Sequence, residues 1–158
     1  MIKVLFICHG NICRSPMAEY VMTDLVKKAG LSDWIEVASA ATSREEIGND
    51  VHYGTKTKLA EVGVACPKRA ARQMTKQDYA EYDYLIGMDS ANIRNMTRIA
   101  DGDAEHKIHL LLEYAGEPSR QLFFQKTLFF FGCTAHLAGS EFPDQGSNPC
   151  PLRGSMES

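Results

Sequence analysis

The sequence lacks a hydrophobic run of membrane-spanning length. Its first apolar stretch begins at Ile2 and stops at Cys8, and about seven residues fall well short of the roughly 20 that a transmembrane helix needs. No small-residue cleavage site follows that stretch, so we expect a cytoplasmic protein with no membrane partner. Neither sign of charge is in large excess: 17 lysines and arginines stand against 20 acidic residues, leaving a net charge of −3. No broad basic field is available to follow a phosphate backbone, which argues against nucleic acid as a partner, although Lys68, Arg69 and Arg72 form a local basic cluster. Cysteine is sparse and scattered. Cys8, Cys13, Cys66, Cys133 and Cys150 are odd in number and share no repeated spacing, so neither a disulfide framework nor a four-ligand zinc site is indicated, and no metal or other cofactor is expected. In a reducing compartment such cysteines are packed or catalytic. Asp-Pro occurs nowhere in the chain, and no aspartate stands between Asp103 and Asp144.

What is present reads as alternating strands and helices around one core. A chain of 158 residues with 44% hydrophobic content suits a single domain. Ile2 to Ile7 has the apolar character of a buried parallel strand and breaks at Gly10-Asn11. Ser15-Pro16 supplies an N-cap and a first-turn proline for a helix over Met17 to Lys28, with two lysines in its last turn and Gly30 as its stop. Ile35 to Ala38 reads as a second strand, His52 to Glu61 as a helix ended near Gly63, and Tyr82 to Met88 as a third strand. Ser90 to Ile99 is a further helix and Lys107 to Tyr114 a fourth strand. This interleaving predicts an α/β fold of three layers, a four-stranded parallel sheet with helices on both faces. Composition shifts after Glu117-Pro118: six of the seven phenylalanines lie beyond it, and the final stretch is rich in Gly, Ser and Pro. We therefore divide the chain into an α/β domain over 1–118 and an atypical segment over 119–158.

The loop after the first strand, "CHGNICRS" at 8–15, carries the chemistry. A loop between a strand's C-terminal end and a helix N-terminus aims backbone N–H groups and the positive end of the helix dipole at one point, which suits a phosphate or similar oxyanion. Cys8 stands at that point, where the same field favours its thiolate and makes it a nucleophile. Arg14 curls back to offer a planar fork to two phosphate oxygens. Gly10 permits close backbone approach, and Asn11 tolerates a left-handed conformation while its amide bonds the loop. Ser15 donates its hydroxyl to the Cys8 sulfur. Asp89 has two readings, as support for the site from the end of the third strand or as the N-cap of the helix that follows.

These residues, together with "SAATSREEIGN" at 39–49, "ARQMTKQDY" at 71–79, "YDYLIGMDSANIRNM" at 82–96 and "IHLLLEYAG" at 108–116, give a chain that resembles the low-molecular-weight protein tyrosine phosphatases from Ile2 to about Pro118. The resemblance implies that Cys8 attacks phosphorus to form a phosphocysteine, that Arg14 binds the phosphoryl group, and that the amides of His9, Gly10, Asn11, Ile12, Cys13 and Arg14 cradle its oxygens. It also implies phosphotyrosine proteins as substrates, since Ile12 suits an aromatic ring where relatives acting on phosphoarginine carry threonine. Cys13 is either structural or the partner that shields Cys8 in a reversible disulfide under oxidation. His9 shapes the loop mouth, and Arg44 and Glu45 stand where relatives often place an aromatic wall, giving an acidic lip.

Members of that family use an Asp-Pro aspartate after the fourth strand as general acid, and this chain has none. Asp144 in "FPDQG" matches in residue type alone. The family's closing amphipathic helix is missing as well. A shifted reading frame, altered splicing or appended cloning sequence beyond Pro118 would account for both absences together. Two other functions remain open: a phosphotyrosine- or oxyanion-binding module without turnover, and a thiol-dependent arsenate reductase. The latter needs two further cysteines close together, and Cys66 has no such neighbour.

Overall fold

The computed structural model describes residues 1–115. Among them β1 (Ile2–Cys8), β2 (Ile35–Ala41), β3 (Tyr84–Gly87) and β4 (Ile108–Leu110) form one parallel sheet in the order β2-β1-β3-β4. Helices α1 (Arg14–Lys28), α2 (Tyr53–Glu61), α3 (Lys76–Glu81) and α4 (Ser90–Ala100) connect them, and a 3₁₀ turn, Leu111–Tyr114, follows β4. The α/β class and the four-stranded parallel sheet are as the sequence predicts.

β1 is an interior strand covered on both sides, which is why both faces of it are apolar. Val4 and Phe6 face one way and pack with Ala18, Met22 and Val26 of α1 and with Ile86, Leu111 and Tyr114. Leu5 and Ile7 face the other way and meet Leu85, Met74, and Met96 and Ala100 of α4. Leu5, Phe6 and Ile7 are fully buried, each contributing roughly 1.5–3 kcal/mol of apolar burial. A third cluster, Tyr20, Val21, Val51, Leu59 and Val64, seats α2 on the outer side of α1.

The chain leaves β1 toward β2 on one side and returns to β3 on the other. The strand order therefore reverses at β1 and β3, and in open α/β sheets ligands occupy the crevice beyond the C-terminal ends of such strands. Cys8 ends β1 there, and Asp89 follows β3 by two residues.

Several boundaries differ from those read in the sequence. α1 begins at Arg14 with Cys13 as N-cap, so Ser15 is inside the helix and not its cap; its hydroxyl turns inward to Cys8 and Asn11. β2 runs on to Ala41 because β1 continues to Cys8, its register partner. Tyr82 is not in the third strand, since its N–H closes α3 on the Asp78 carbonyl. The fourth strand stops at Leu110 because its partner strand ends at Gly87, directly opposite; with no ladder to continue, the next residues wind into the 3₁₀ turn. α3 is an addition. Its signal was "TKQD", a capping box in which Thr75 accepts from the Asp78 N–H and Asp78 accepts from the Thr75 N–H at 2.7 Å. Glu117-Pro118, the division after residue 118, the Phe-rich stretch, Cys133, Asp144 and Cys150 lie outside the described residues.

Candidate active site

The loop from Cys8 to Cys13 is held in place by its own carbonyls. Thr42 N–H donates to the Cys8 carbonyl at 2.8 Å, Ser43 N–H to His9 at 2.9 Å, His52 N–H to Ile12 at 2.9 Å and Met17 N–H to Cys13 at 3.1 Å. With these carbonyls committed to neighbouring segments, the Asn11 N–H is directed at the Cys8 sulfur. α1 has no acidic residue in its first turn and no side-chain cap, so the positive end of its dipole is not neutralised locally.

Cys8 is buried, and its sulfur has two close polar neighbours. The Asn11 N–H points at it from 3.3 Å, and the Ser15 hydroxyl is 3.1 Å away. The Asn11 N–H stabilises negative charge on sulfur, and the Ser15 hydroxyl does so when its one hydrogen turns to Cys8 instead of the Ala40 carbonyl at 3.3 Å. Asn11 adopts φ 57°, the left-handed conformation expected of it, which turns its N–H back toward Cys8. The Asn11 amide group donates to Ser15 Oγ at 2.9 Å and to Ser39 Oγ at 2.7 Å, and accepts from Arg69 Nη2 at 3.0 Å and from the Arg72 N–H at 3.2 Å. Gly10 approaches the neighbouring loop, where a Cβ would stand 3.0 Å from Glu46 Cγ.

Arg14 extends toward β3 and donates from Nη1 to Asp89 Oδ2 at 2.6 Å. Asp89 Oδ1 accepts the Asn92 N–H at 2.7 Å and so caps α4. Its two readings are therefore both realised, one on each oxygen. Burial opposes ionisation of Asp89, but the Arg14 hydrogen bond, the Asn92 N–H, the Arg14 charge and the Ala91 N–H outweigh it and hold the carboxyl below the usual range. His9 stands at the mouth, its Nε2 3.2 Å from Glu45 Oε2, so the acidic lip is partly spent on an exposed pair. Ile12 and Cys13 are half-buried, and Cys13 is not joined to Cys8.

The structure thus gathers Cys8, Asn11, Arg14, Ser15 and Asp89 around one crevice. It adds Ser39, Glu19, Arg69 and Arg72, which the residue-by-residue reading did not assign to the site. Arg69 and Arg72 were visible only as members of a local basic cluster, and nothing local in the sequence says that they bond to Asn11 of the loop. Asp144 lies outside the described residues. Among the described residues no cluster of His, Cys, Asp and Glu could hold a metal ion, and no helix is long and apolar enough to cross a membrane.

Comparison with known proteins places this geometry in context. The family model described as low molecular weight phosphotyrosine protein phosphatase matches residues 3–122. The chain is 43% identical over 114 residues to the low molecular weight protein-tyrosine-phosphatase YfkJ of Bacillus subtilis, covering 72% of this chain and 73% of that one. It is 42% identical over 122 residues to the low molecular weight phosphotyrosine protein phosphatase of Homo sapiens, covering 76% and 75% respectively. The crystal structure of the Bacillus protein superposes with a TM-score of 0.71 at 42% identity, over 74% of each chain.

Proposed function

Because the chain belongs to the low molecular weight phosphotyrosine protein phosphatase family, we propose that it hydrolyses phosphotyrosine in proteins through a phosphocysteine on Cys8. The observation that carries this reading is the placement of the Cys8 sulfur at the end of β1, under the Asn11 N–H and the Ser15 hydroxyl, with the Arg14 guanidinium held beside the same crevice by Asp89. In the first step the Cys8 thiolate attacks phosphorus, an S–P bond forms, and the P–O bond to the phenol breaks. Charge growing on the phosphoryl oxygens is met by loop N–H groups and by Arg14, whose donors in excess of the Asp89 contact reach two oxygens at once. In the second step water attacks phosphorus, the S–P bond breaks and the water's proton leaves on the inorganic phosphate; the Ser15 hydroxyl steadies the departing thiolate.

The departing phenol oxygen needs a proton. Asp89 does not supply it, since its contacts keep it ionised. Another residue supplies it, or hydrolysis of basic phenols is slow in this chain. The second case is the binding-module reading: a complete oxyanion cradle with little turnover. Phosphate release from a phosphotyrosine peptide, measured beside binding of the same peptide, separates the two. The proposal expects release by the native chain and none by Cys8→Ser, with phosphate binding retained, because the N–H groups and Arg14 survive that change. Unchanged hydrolysis by Cys8→Ser would remove Cys8 as nucleophile.

A further inference from the structure

One residue of the connection between β2 and α2 reaches across the mouth of the loop to the residue that follows Cys8. We propose that this residue, Glu45, determines specificity: it selects phosphotyrosine peptides with a basic residue beside the phosphotyrosine and disfavours those with an acidic one. This selection rests on the reading of the Cys8 loop as a phosphotyrosine site.

The connection is pinned to the loop, so Glu45 has a fixed place. Ser43 N–H donates to the His9 carbonyl at 2.9 Å, and the Ser43 hydroxyl accepts the Glu45 N–H at 3.2 Å. Ile47 N–H closes a turn on the Arg44 carbonyl at 3.4 Å. Just beyond it, Gly48 N–H donates to the Ala71 carbonyl at 2.9 Å and Ala71 N–H to the Asn49 carbonyl at 2.7 Å. The three charged side chains of the turn are used differently. Glu46 is committed within the connection, where its Oε2 accepts from Asn49 Nδ2 at 2.7 Å. Arg44 is exposed, and its guanidinium makes no ion pair among the described residues. Of the three, only Glu45 has a polar contact with the loop, its Oε2 standing 3.2 Å from His9 Nε2.

The pair is open to a ligand. The side chains of His9 and Glu45 are 51% and 73% exposed, and His9 is charged only when protonated. An incoming ammonium or guanidinium is therefore a stronger partner for this carboxylate than the imidazole that it faces. A phosphotyrosine whose phosphorus meets the Cys8 sulfur extends out of the loop past His9, which brings its neighbours in the peptide to the rim where Glu45 stands. A lysine or arginine there gains an exposed ion pair, whereas an aspartate or glutamate sets carboxylate against carboxylate. Exposed pairs contribute modestly and salt screens them, so the contrast between two such peptides is about three- to tenfold at low salt.

Two matched phosphotyrosine peptides test the inference, one with lysine and the other with glutamate on both sides of the phosphotyrosine. The readout is the ratio of their kcat/KM values in the wild-type chain, Glu45→Gln, Glu45→Lys and Arg44→Gln, at about 20 mM and about 500 mM salt. A substitution that only disturbs the fold or the nucleophile slows both peptides alike and leaves the ratio where it was. The wild type is expected to favour the lysine peptide about three- to tenfold at low salt and less than about twofold at high salt. Glu45→Gln should bring the low-salt ratio below about twofold, Glu45→Lys should reverse it, and Arg44→Gln should keep or raise it. A wild-type ratio near one or in favour of the glutamate peptide would overturn the proposal, as would a preference that survives Glu45→Gln. If neither peptide releases phosphate, the hydrolase reading fails, and the ratio is read instead from the dissociation constants of the two peptides for Cys8→Ser with and without Glu45→Gln. Binding of neither peptide would overturn both readings.

Discussion

Asp89 shows how one side chain serves two purposes with two oxygens, and the two are experimentally separable. Asparagine caps a helix about as well as aspartate does, so Asp89→Asn should leave the urea midpoint nearly unchanged. It removes the charge that anchors Arg14 at 2.6 Å, and kcat/KM should fall about tenfold or more, the scale of a charged hydrogen bond worth about 1.5–3 kcal/mol. Asp89→Ala should lose the same activity and about 1 kcal/mol of stability besides. Full activity in Asp89→Asn, measured beside urea denaturation, would reduce Asp89 to a helix cap. Arg14→Lys should not restore what Arg14→Ala loses, because a point charge cannot hold Asp89 and two phosphoryl oxygens in one plane.

At the scale of elements, two contacts set where the crevice lies. β3 and α4 meet at Gly87, where a Cβ would stand 2.9 Å from Ile93 Cδ1 and 3.1 Å from Met96 Sδ. Gly87→Ala makes the ends of the Ile93 and Met96 side chains shift against the sheet, so we expect about 1–3 kcal/mol of destabilisation in a thermal melt. α3 is fastened by Asp78, which is buried and takes both Arg72 nitrogens at 3.0 Å as well as the Thr75 N–H. Burial opposes the charge on Asp78, but the Arg72 and Thr75 hydrogen bonds prevail and lower its pKa. A carboxyl held more acidic in the folded chain than in the unfolded one contributes stability above about pH 4, and that contribution is lost as pH falls through the folded value. Asp78→Asn should therefore flatten the fall of the urea midpoint between about pH 5 and about pH 2; an unaltered slope would assign that fall to other carboxyls. What the sequence disclosed at this scale follows from range. β1, α1, α2 and α4 announce themselves through local apolar runs, caps and glycine stops. The ends of β3 and β4 do not, because they are set by where the neighbouring strand runs out. Cys8, Arg14 and Ser15 were legible because they lie within one stretch of eight residues. Ser39 and Arg69 reach Asn11 from 28 and 58 positions away, a distance that no pattern in one sequence bridges.

At the scale of the whole molecule, the question is what the residues beyond 115 supply to the site that the described residues form. If the domain ends near residue 118, deleting 119–158 should leave the yield of folded protein unchanged, and a clear loss would show that the later residues belong to the core. The sharper test is chemical. Proton donation to the departing oxygen typically contributes about 10² to 10⁴ in rate when the leaving group is basic. Among the described residues Asp89 is the carboxyl held against Arg14, and its ionised state gives it no proton to donate. A nitrophenol leaves readily without help, whereas tyrosine, with a phenol pKa near 10, does not. If 116–158 provides no acid, nitrophenyl phosphate should be hydrolysed at a reduced rate, phosphotyrosine peptides very slowly, and the rate should fall steeply across a series of phenols of rising pKa. Asp144→Asn should then change nothing. A shallow dependence that Asp144→Asn makes steep would identify Asp144 as the acid and show that the later residues complete the site. Translating the coding DNA in its other two frames beyond Pro118 gives an independent check: an Asp-Pro followed by an amphipathic helix there would trace the missing acid to a shift of frame, and restoring that frame should flatten the leaving-group dependence.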